Sequence, residues 1–234
     1  MLDLLSNYQW DRPIHLLSQG GDINIGLKDY LMYEGFSSKL VPFRNKIGNI
    51  DPGKVSVDIL YDKMMNVYSW DALRRDDYDV DYQNYYTFLG VLPQRELFVT
   101  TATSLLKAGD KERALEILDK CQESLPDNVW PLESIPLGFT TNDYMVVNMV
   151  KLYYEAGCPE KATELGGKLG EELLKSAAFY LDFFDYADGE FDTVCQFMSF
   201  LIDEMEKGGD KTVSKSLKDR LLALLHSVSG DFEE

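Results

Sequence analysis

The feature that most constrains this chain is a pattern of large, small and glycine residues that occurs twice with the same spacing. The first copy consists of Phe98, Thr101, Ala102, Leu105, Gly109 and Ala114. The second copy consists of Val146, Met149, Val150, Tyr153, Gly157 and Ala162. Apolar residues three and four positions apart form one face of a helix, and a glycine between two such runs marks a turn. Each copy therefore predicts a helical hairpin.

The order of these residues resembles the tetratricopeptide repeat, a helix–turn–helix unit of about 34 residues. Ala162 follows Ala114 by 48 positions, so the stretch 127–142, which contains proline and glycine, interrupts a regular array. Helical periodicity continues towards the C-terminus without the small-residue signature. Two alternatives stay open: two degenerate repeats with closing helices, or ordinary helical hairpins without repeat geometry. The predicted helices span residues 94–107, 111–124, 142–156, 159–175, 177–186, 190–207 and 211–228.

The N-terminal third has a different pattern. Short apolar runs at residues 13–17 and 39–43 predict strands, and residues 25–34 place apolar side chains at helical spacing. A strand, helix, strand order favours parallel pairing. The spacing over residues 58–70 predicts a further helix. We therefore predict a small α+β cap domain over residues 1–90 and a tetratricopeptide-like helical domain over 91–234. The fold class is mainly α, with helical hairpins that form a short α-α solenoid.

The charge of the chain excludes several classes of partner. Forty acidic and twenty-three basic side chains give a formal net charge of −17. This charge repels phosphate backbones and anionic lipid headgroups, so we expect no nucleic-acid partner. Residues 1–17 lack the basic start and the continuous apolar stretch of a signal peptide or a membrane span. We therefore expect no direct membrane insertion by this chain.

The sequence lacks the motifs that define the common catalytic sites. It contains two histidines, and the patterns GxSxG, HExxH and GxxxxGK do not occur. Three cysteines form no zinc motif: Cys121, Cys158 and Cys195. Aspartates alternate over residues 77–81 as in a calcium loop, but Tyr82 and Phe88 stand where that loop needs glycine and glutamate. We predict no catalytic residue, no cofactor and no metal site.

Clusters of aromatic and acidic residues leave two interpretations open. The aromatic clusters are Tyr30/Tyr33, Tyr78/Tyr82/Tyr85/Tyr86 and Phe179/Tyr180/Phe183/Phe184/Tyr186. The acidic cluster is Asp182, Asp185, Asp188, Glu190 and Asp192. Most of the aromatic rings must fill the core, whereas some could form a surface that stacks on sugars or peptides. Paired carboxylates could serve a glycosidase, whereas helix ends carry the same acidic composition without catalysis.

Several motifs follow one another at defined spacing. They are Asn7-x2-Trp10-x-Arg12-Pro13-Ile14, then Leu27-x2-Tyr30-Leu31-x2-Glu34-Gly35-x4-Leu40-Val41-Pro42, then Tyr61-Asp62-x2-Met65-Asn66-x3-Trp70, and then Arg95-x2-Phe98-x3-Ala102. In order and spacing they resemble the soluble C-terminal region of a bacterial family of uncharacterised multi-spanning membrane proteins, which is related to protein O-mannosyltransferases. The resemblance covers most of the chain, from its start to the second hairpin.

The resemblance implies that this chain is part of a larger class-C-type glycosyltransferase. The membrane part would use a lipid-linked sugar, and the soluble part would face the extracytoplasmic side. The acidic loop that carries catalysis in related mannosyltransferases has no counterpart in this sequence, so no catalytic residue is assigned. Four positions match the family pattern: Trp10, Arg12, Tyr61 and Trp70. Their expected roles are structural, at a strand edge, in helix packing and in a buried ion pair.

Three functions agree with these observations. The first is a non-catalytic domain that assists a membrane glycosyltransferase-like protein and binds a protein or an acceptor peptide on its helical hairpins. The second is an independent carbohydrate-binding or carbohydrate-acting protein, and the third is a purely structural tail. As part of the family protein, the chain would lie on the periplasmic face of the bacterial inner membrane. As a free-standing protein, it would be cytoplasmic.

Overall fold

In the computed structural model, the N-terminal strands form a small antiparallel sheet, and the structure describes residues 5–17, 26–44, 56–75, 77, 91–133 and 142–230. The strands are β1 (His15–Leu16), β2 (Leu31–Tyr33) and β3 (Ser38–Leu40). Their order in the sheet is β1-β3-β2, and both pairs are antiparallel. The predicted parallel pairing is therefore wrong. The predicted pair was β1 with β3, but the stretch expected to form the crossover helix contains β2 instead, and the short connection at residues 34–37 makes β2 and β3 an antiparallel hairpin.

The helix predicted over residues 25–34 is also wrong. A short 3-10 turn, Lys28–Tyr30, leads directly into β2. Leu31 lies opposite Leu40 in the ladder, and both side chains are buried. Gly35 then adopts a φ of 102°, which lets the chain reverse into β3. Cross-strand burial of apolar residues thus outweighs helical periodicity in this segment.

The helix predicted over residues 58–70 is present, although its second half is wound differently. Helix α1 (Val57–Asp62) continues as a π-helical turn, Lys63–Val67, and a 3-10 turn follows at Asp71–Arg74. The indole N–H of the buried Trp70 donates to the carbonyl of Met64 at 2.8 Å. The Trp70 ring also lies 4.8 Å from the ring of Phe98, measured between centroids. This contact joins the N-terminal segment to the first long helix.

Six long helices follow in the part of the chain that the structure describes. Their bounds are α2 (Val91–Lys107), α3 (Lys111–Ser124), α4 (Asn142–Ala156), α5 (Pro159–Asp182), α6 (Phe184–Lys207) and α7 (Val213–Gly230). The predicted bounds of α3 and α4 agree with the structure, and those of α2 and α7 differ by two or three residues. A mainly α fold with a small N-terminal sheet and a solenoid-like stack of hairpins is thus confirmed.

The sequence prediction misplaced one boundary between helices. It ended one helix at residue 175 and began the next at 177, whereas α5 continues to Asp182. Ala177 is buried and no glycine or proline interrupts this stretch, so the helix has no reason to stop there. The break occurs at Phe183, and α6 is kinked at Ala187, where φ is −136°.

The described residues contain three hairpins with the same turn. The turn glycines are Gly109, Gly157 and Gly209, with φ angles of 84°, 90° and 95°. In each turn the glycine amide donates to the carbonyl three residues earlier, and the next amide donates to the carbonyl five residues earlier. These two bonds are those of a Schellman motif, which ends a helix at a residue in the left-handed region.

The third hairpin, formed by α6 and α7, was missed by the sequence pattern. Ser214 follows Gly209 by five residues, as Ala114 and Ala162 follow their glycines, and its side chain is buried. The four packing positions before the glycine are also filled by buried residues: Met198, Leu201, Ile202 and Met205. The pattern of three hairpins therefore tolerates serine at the small position. Comparing residues at fixed distances from each turn glycine, with serine accepted at the small position, would have predicted this third hairpin from the sequence.

The hairpins stack in chain order. The first helices of the three hairpins, α2, α4 and α6, form one row, in which α2 contacts α4 and α4 contacts α6. In the row of second helices, α5 contacts α7. One continuous apolar cluster runs through the stack and includes Leu60, Met64 and Trp70 from the N-terminal segment. The predicted domain boundary near residue 90 lies outside the described residues, so the division into 1–90 and 91–234 stays a prediction.

Glycines allow the second and third hairpins to approach closely. A Cβ atom added at Gly166 would lie 2.8 Å from the sulfur of Met205, and one at Gly170 would lie 2.5 Å from a methyl of Leu217. The ring of Tyr154 in α4 covers Gly208, which ends α6, and its hydroxyl is bonded to Thr163 at 3.0 Å. Any side chain at Gly208 would therefore meet a ring that is held in place.

We expect Gly208→Ala to lower the free energy of unfolding by about 1–3 kcal/mol, because the new methyl group would overlap the Tyr154 ring. Urea denaturation of the purified chain measures the change. Gly189→Ala is the matched control, since nothing lies within 4 Å of the Cβ position in that helix. The control should gain about 0.5–1 kcal/mol. Equal effects of the two substitutions would contradict the close contact between hairpins.

Candidate functional site

The structure places two of the family-pattern residues, Trp10 and Arg12, in an exposed loop before β1. Trp10 lies outside any strand, adopts a φ of 58°, and contacts the ring of Tyr8 with 4.8 Å between the centroids. Arg12 is exposed, and its guanidinium lies 3.9 Å from the carboxylate of its neighbour Asp11. The expected strand-edge position therefore does not hold for Trp10, and the expected buried ion pair does not involve Arg12.

The other two, Tyr61 and Trp70, lie where the N-terminal segment meets the first hairpin. Trp70 is buried against α2, as described above. The hydroxyl of Tyr61 donates to Glu116 of α3, and this bond is the main cause of the raised pKa of Tyr61. Arg113 of α3 lies over the Tyr61 ring at 5.1 Å and bonds to Asp58 at 2.7 Å. These contacts fix α1 on the first hairpin.

Arg95 is a buried charged residue that belongs to the fourth sequence motif but is not one of the four family-pattern positions. Its side chain is 2% exposed and donates to the carbonyls of Trp130 and Pro131 at 2.8 and 3.0 Å. Both acceptors belong to the segment that leaves the first hairpin. Glu172 of α5 holds the same segment by accepting the amides of Leu132 and Glu133 at 3.0 and 2.8 Å. Arg95 is therefore a structural residue that positions the connection between hairpins.

Burial also raises the pKa values of two cysteines and of one carboxyl group. All three cysteines are free, and burial raises the pKa of the Cys121 thiol to about 12 and that of Cys195 to about 11. Burial is likewise the main cause of the raised pKa of Glu133. Thiols with raised pKa values are poor nucleophiles and poor metal ligands. No group of histidine, cysteine and carboxylate side chains within the described ranges could hold a metal ion.

The second helices border a cleft of about 580 Å³. It is lined by Met65, Glu116, Asp119, Lys120, Gln122, Glu123, Lys161 and Glu164. Lys161 lies 2.7 Å from both carboxylate oxygens of Asp119, so this cation joins α5 to α3. Asp119 also accepts from the hydroxyl of Tyr153 at 3.1 Å, and burial raises the pKa of that tyrosine. Each polar side chain of the cleft is bonded to a residue within the lining or beside it, which makes the cleft a junction between hairpins.

A second groove lies between the first helices, α2 and α4, and has a volume of about 360 Å³. Its lining consists of Thr103, Leu106, Lys107, Lys111, Asn148, Lys151, Leu152 and Glu155. Three of these side chains are lysines and one is a glutamate, although the chain as a whole is strongly acidic. The lysines are exposed, and Lys151 lies 3.9 Å from Glu155. Such a local excess of positive charge attracts anionic or carbonyl-rich ligands.

The predicted aromatic and acidic clusters lie in different environments in the structure. Tyr33 is largely buried, and burial raises its pKa, whereas residues 78 and 82–86 lie outside the described residues. Phe179 and Phe183 are exposed at the end of α5, with ring centroids 5.1 Å apart, and Tyr186 is exposed at the start of α6. The acidic cluster occupies the same junction. Aspartates 79 and 81 of the calcium-like stretch lie outside the described residues, and Asp77 is bonded to Arg75.

Comparison with known proteins identifies one related region. Residues 1–59 match the family described as TMEM260-associated domain 2, which suggests a TMEM260-related family. The match covers the sheet and the start of α1, so it includes Trp10 and Arg12 but not the hairpins. No curated protein and no solved structure matches the chain. The described helices include none that is long and apolar enough to cross a membrane. The match is consistent with an accessory domain of a membrane protein.

We expect Arg95→Met to lower the free energy of unfolding by about 1–3 kcal/mol, because it removes the donor of two hydrogen bonds to the Trp130–Pro131 segment. Thermal and urea denaturation measure the change. Arg220→Met is the matched control, since Arg220 forms an exposed ion pair with Glu171, which contributes at most about 1 kcal/mol. If the two variants lost the same stability, Arg95 would not have the structural role described here.

Proposed function

We propose that this chain is a non-catalytic domain of, or accessory to, a membrane glycosyltransferase-like protein, and that it binds a polypeptide in the groove between α2 and α4. The match of the N-terminal 59 residues to a TMEM260-associated domain supports the membrane-protein context. The motif resemblance to a family related to O-mannosyltransferases supports the glycosyltransferase part of the proposal. The membrane-embedded region would supply catalysis, and the domain would face the extracytoplasmic side.

The observation that carries the binding proposal is the charge of the groove. Lys107, Lys111, Lys151 and Glu155 are the charged residues of its lining, so the groove carries an excess of positive charge within a chain whose net charge is −17. Such a local excess of positive charge attracts acidic side chains and carbonyl groups. Thr103 and Asn148 can bond to a peptide backbone, and Leu106 and Leu152 provide apolar contact. A polypeptide with acidic residues fits this chemistry better than a basic or an uncharged one.

The location of the groove also suits a polypeptide. It lies between neighbouring first helices, where an extended segment can run along the stack and contact both of them. The cleft between the second helices offers no such site, because Lys161 and Asp119 already bridge it. The ligand would be a segment of an acceptor protein or of a partner subunit. Recognition without chemistry agrees with the prediction that this chain contains no catalytic residue.

Fluorescence anisotropy with two labelled peptides of matched length, one rich in glutamate and one rich in lysine, tests this function on the whole chain. We expect the acidic peptide to bind, and Lys151→Glu to weaken its binding roughly tenfold, about 1.4 kcal/mol. Lys175→Glu changes the net charge equally at an exposed site on α5 and should leave binding unchanged.

Two outcomes of that experiment would contradict the proposal. Equal binding of both peptides, or equal effects of the two lysine substitutions, would show that the groove does not select its ligand. Binding of glycans by the isolated chain, with no binding of either peptide, would instead favour a carbohydrate-binding protein.

A further inference from the structure

The junction between α5 and α6 carries two aromatic rings on its surface. Phe179 is 58% exposed and Phe183 is 50% exposed, and their ring centroids lie 5.1 Å apart with the planes tilted by 47°. Phe183 separates the two helices, since α5 ends at Asp182 and α6 begins at Phe184. The direct contact between the rings places both phenylalanines in one patch. We call Phe179, Asp182 and Phe183 the junction site.

The neighbouring aromatic residues pack inward. Tyr180 and Phe184 lie against the apolar core, and Phe184 contacts the ring of the buried Phe191. Tyr180 also contacts Phe179 edge to face, with 5.5 Å between the centroids. Contact with Tyr180 and Phe183 limits the motion of the Phe179 ring, so a ligand that stacks on this ring has little further ordering to cause. The core thus takes two rings of the cluster and leaves two outside.

A carboxylate lies on the same surface as the rings. Asp182 follows Phe179 by three positions in α5, and residues three apart in a helix are neighbours on one surface. Asp185 follows Phe183 by two positions. Both carboxylates are exposed, and neither forms an ion pair with any of the described residues.

The sequence around the junction contains no cation that could pair with these carboxylates. Residues 176–206 include neither lysine nor arginine nor histidine. Lys175, one helical turn before Phe179, is the preceding cation in the sequence, and its charge acts on Glu171. The junction site therefore combines exposed rings with negative charge.

The first hairpin shows how such a combination is filled elsewhere in the chain. Arg113 lies over the ring of Tyr61 at 5.1 Å and bonds to Asp58 at 2.7 Å and to Asp110 at 2.6 Å. A guanidinium group is planar, so it can stack on a ring and bond to carboxylates at the same time. The junction site offers the same two kinds of contact, and the described part of the chain places no arginine there.

We propose that the junction site binds an arginine-containing segment of another polypeptide. The guanidinium group would stack on Phe179 and Phe183 and donate hydrogen bonds to the carboxylate of Asp182, while Asp185 adds attraction. Lysine fits less well, because its compact ammonium group is strongly hydrated and lacks a planar face. A second copy of this chain is disfavoured, since each copy carries a net charge of −17. The site is separate from the lysine-lined groove and takes a ligand of the opposite charge.

Three labelled peptides of matched length test this proposal on the whole chain. In each peptide serine alternates with one other residue, which is arginine, lysine or glutamine. We expect the arginine peptide to bind and the lysine peptide to bind roughly fivefold more weakly, because only arginine gains from stacking on the rings. The glutamine peptide should not bind. Fluorescence anisotropy at about 0.15 M salt measures the three affinities.

Substitution of the rings tests the stacking contact. The double variant Phe179→Leu, Phe183→Leu keeps apolar side chains but removes both rings, so it should bind the arginine peptide no better than the lysine peptide. Phe200→Leu is the matched control, since it removes a ring that is 45% exposed further along α6. This control should keep the preference for arginine.

Substitution of the carboxylates tests the charge contact. The double variant Asp182→Asn, Asp185→Asn should weaken binding of the arginine peptide roughly tenfold and reduce its salt dependence. Glu112→Gln, Glu160→Gln removes the same charge from exposed positions at the starts of α3 and α5. This second double variant should change neither the affinity nor its salt dependence.

Several results would overturn the inference. Equal affinity for the arginine and lysine peptides, or a preference that persists without the two rings, would exclude stacking. Equal weakening by the two sets of charge variants would show only general attraction to an acidic chain. Self-association that disappears in the double phenylalanine variant would assign the rings to a second copy, and glycan binding lost in that variant, without peptide binding, would assign them to carbohydrate. Lys151→Glu should leave binding of the arginine peptide unchanged, which separates this site from the groove.

Discussion

The glycine turn is the interaction on which the stack of hairpins depends. Gly109, Gly157 and Gly209 each hold a backbone conformation that places two amides on the last carbonyls of the preceding helix. The reversed chain then starts the second helix at a fixed distance from the first, so buried residues recur at the same offsets from each glycine. Because the offsets are the same, the face that one hairpin presents fits the face of the next. Small residues on α5 then let the second and third hairpins meet closely.

The N-terminal end of the stack is closed by the chain itself. The N-terminal segment closes the first hairpin through Trp70, Tyr61 and the Arg113–Asp58 ion pair, while Arg95 fixes the connection that follows α3. The proposed binding groove lies between the first two hairpins, beside this closed end, and three of its lining residues are lysines.

The sequence predicted the helices far better than the sites. Amphipathic spacing and the turn glycine Gly109 located α3 to the residue, because both are local properties. The segment around β2 was misjudged because pairing with β3 outweighed its helical spacing. The third hairpin escaped notice because Ser214 stands where alanine was expected. The groove could not have been predicted, since it brings together residues of α2 and α3 with residues of α4 that lie more than 35 positions away, and no motif records which helices become neighbours.

Equilibrium unfolding of three variants, Gly109→Ala, Gly157→Ala and Gly209→Ala, tests most directly whether the chain contains three equivalent hairpins. Each glycine has a positive φ and open space around its Cβ position, so the only cost of alanine is the left-handed backbone conformation. We predict that all three variants lose a similar free energy of unfolding, about 1–2 kcal/mol. A loss at Gly109 and Gly157 together with unchanged stability in Gly209→Ala would contradict the account, because the last two helices would then not form a hairpin of the same kind.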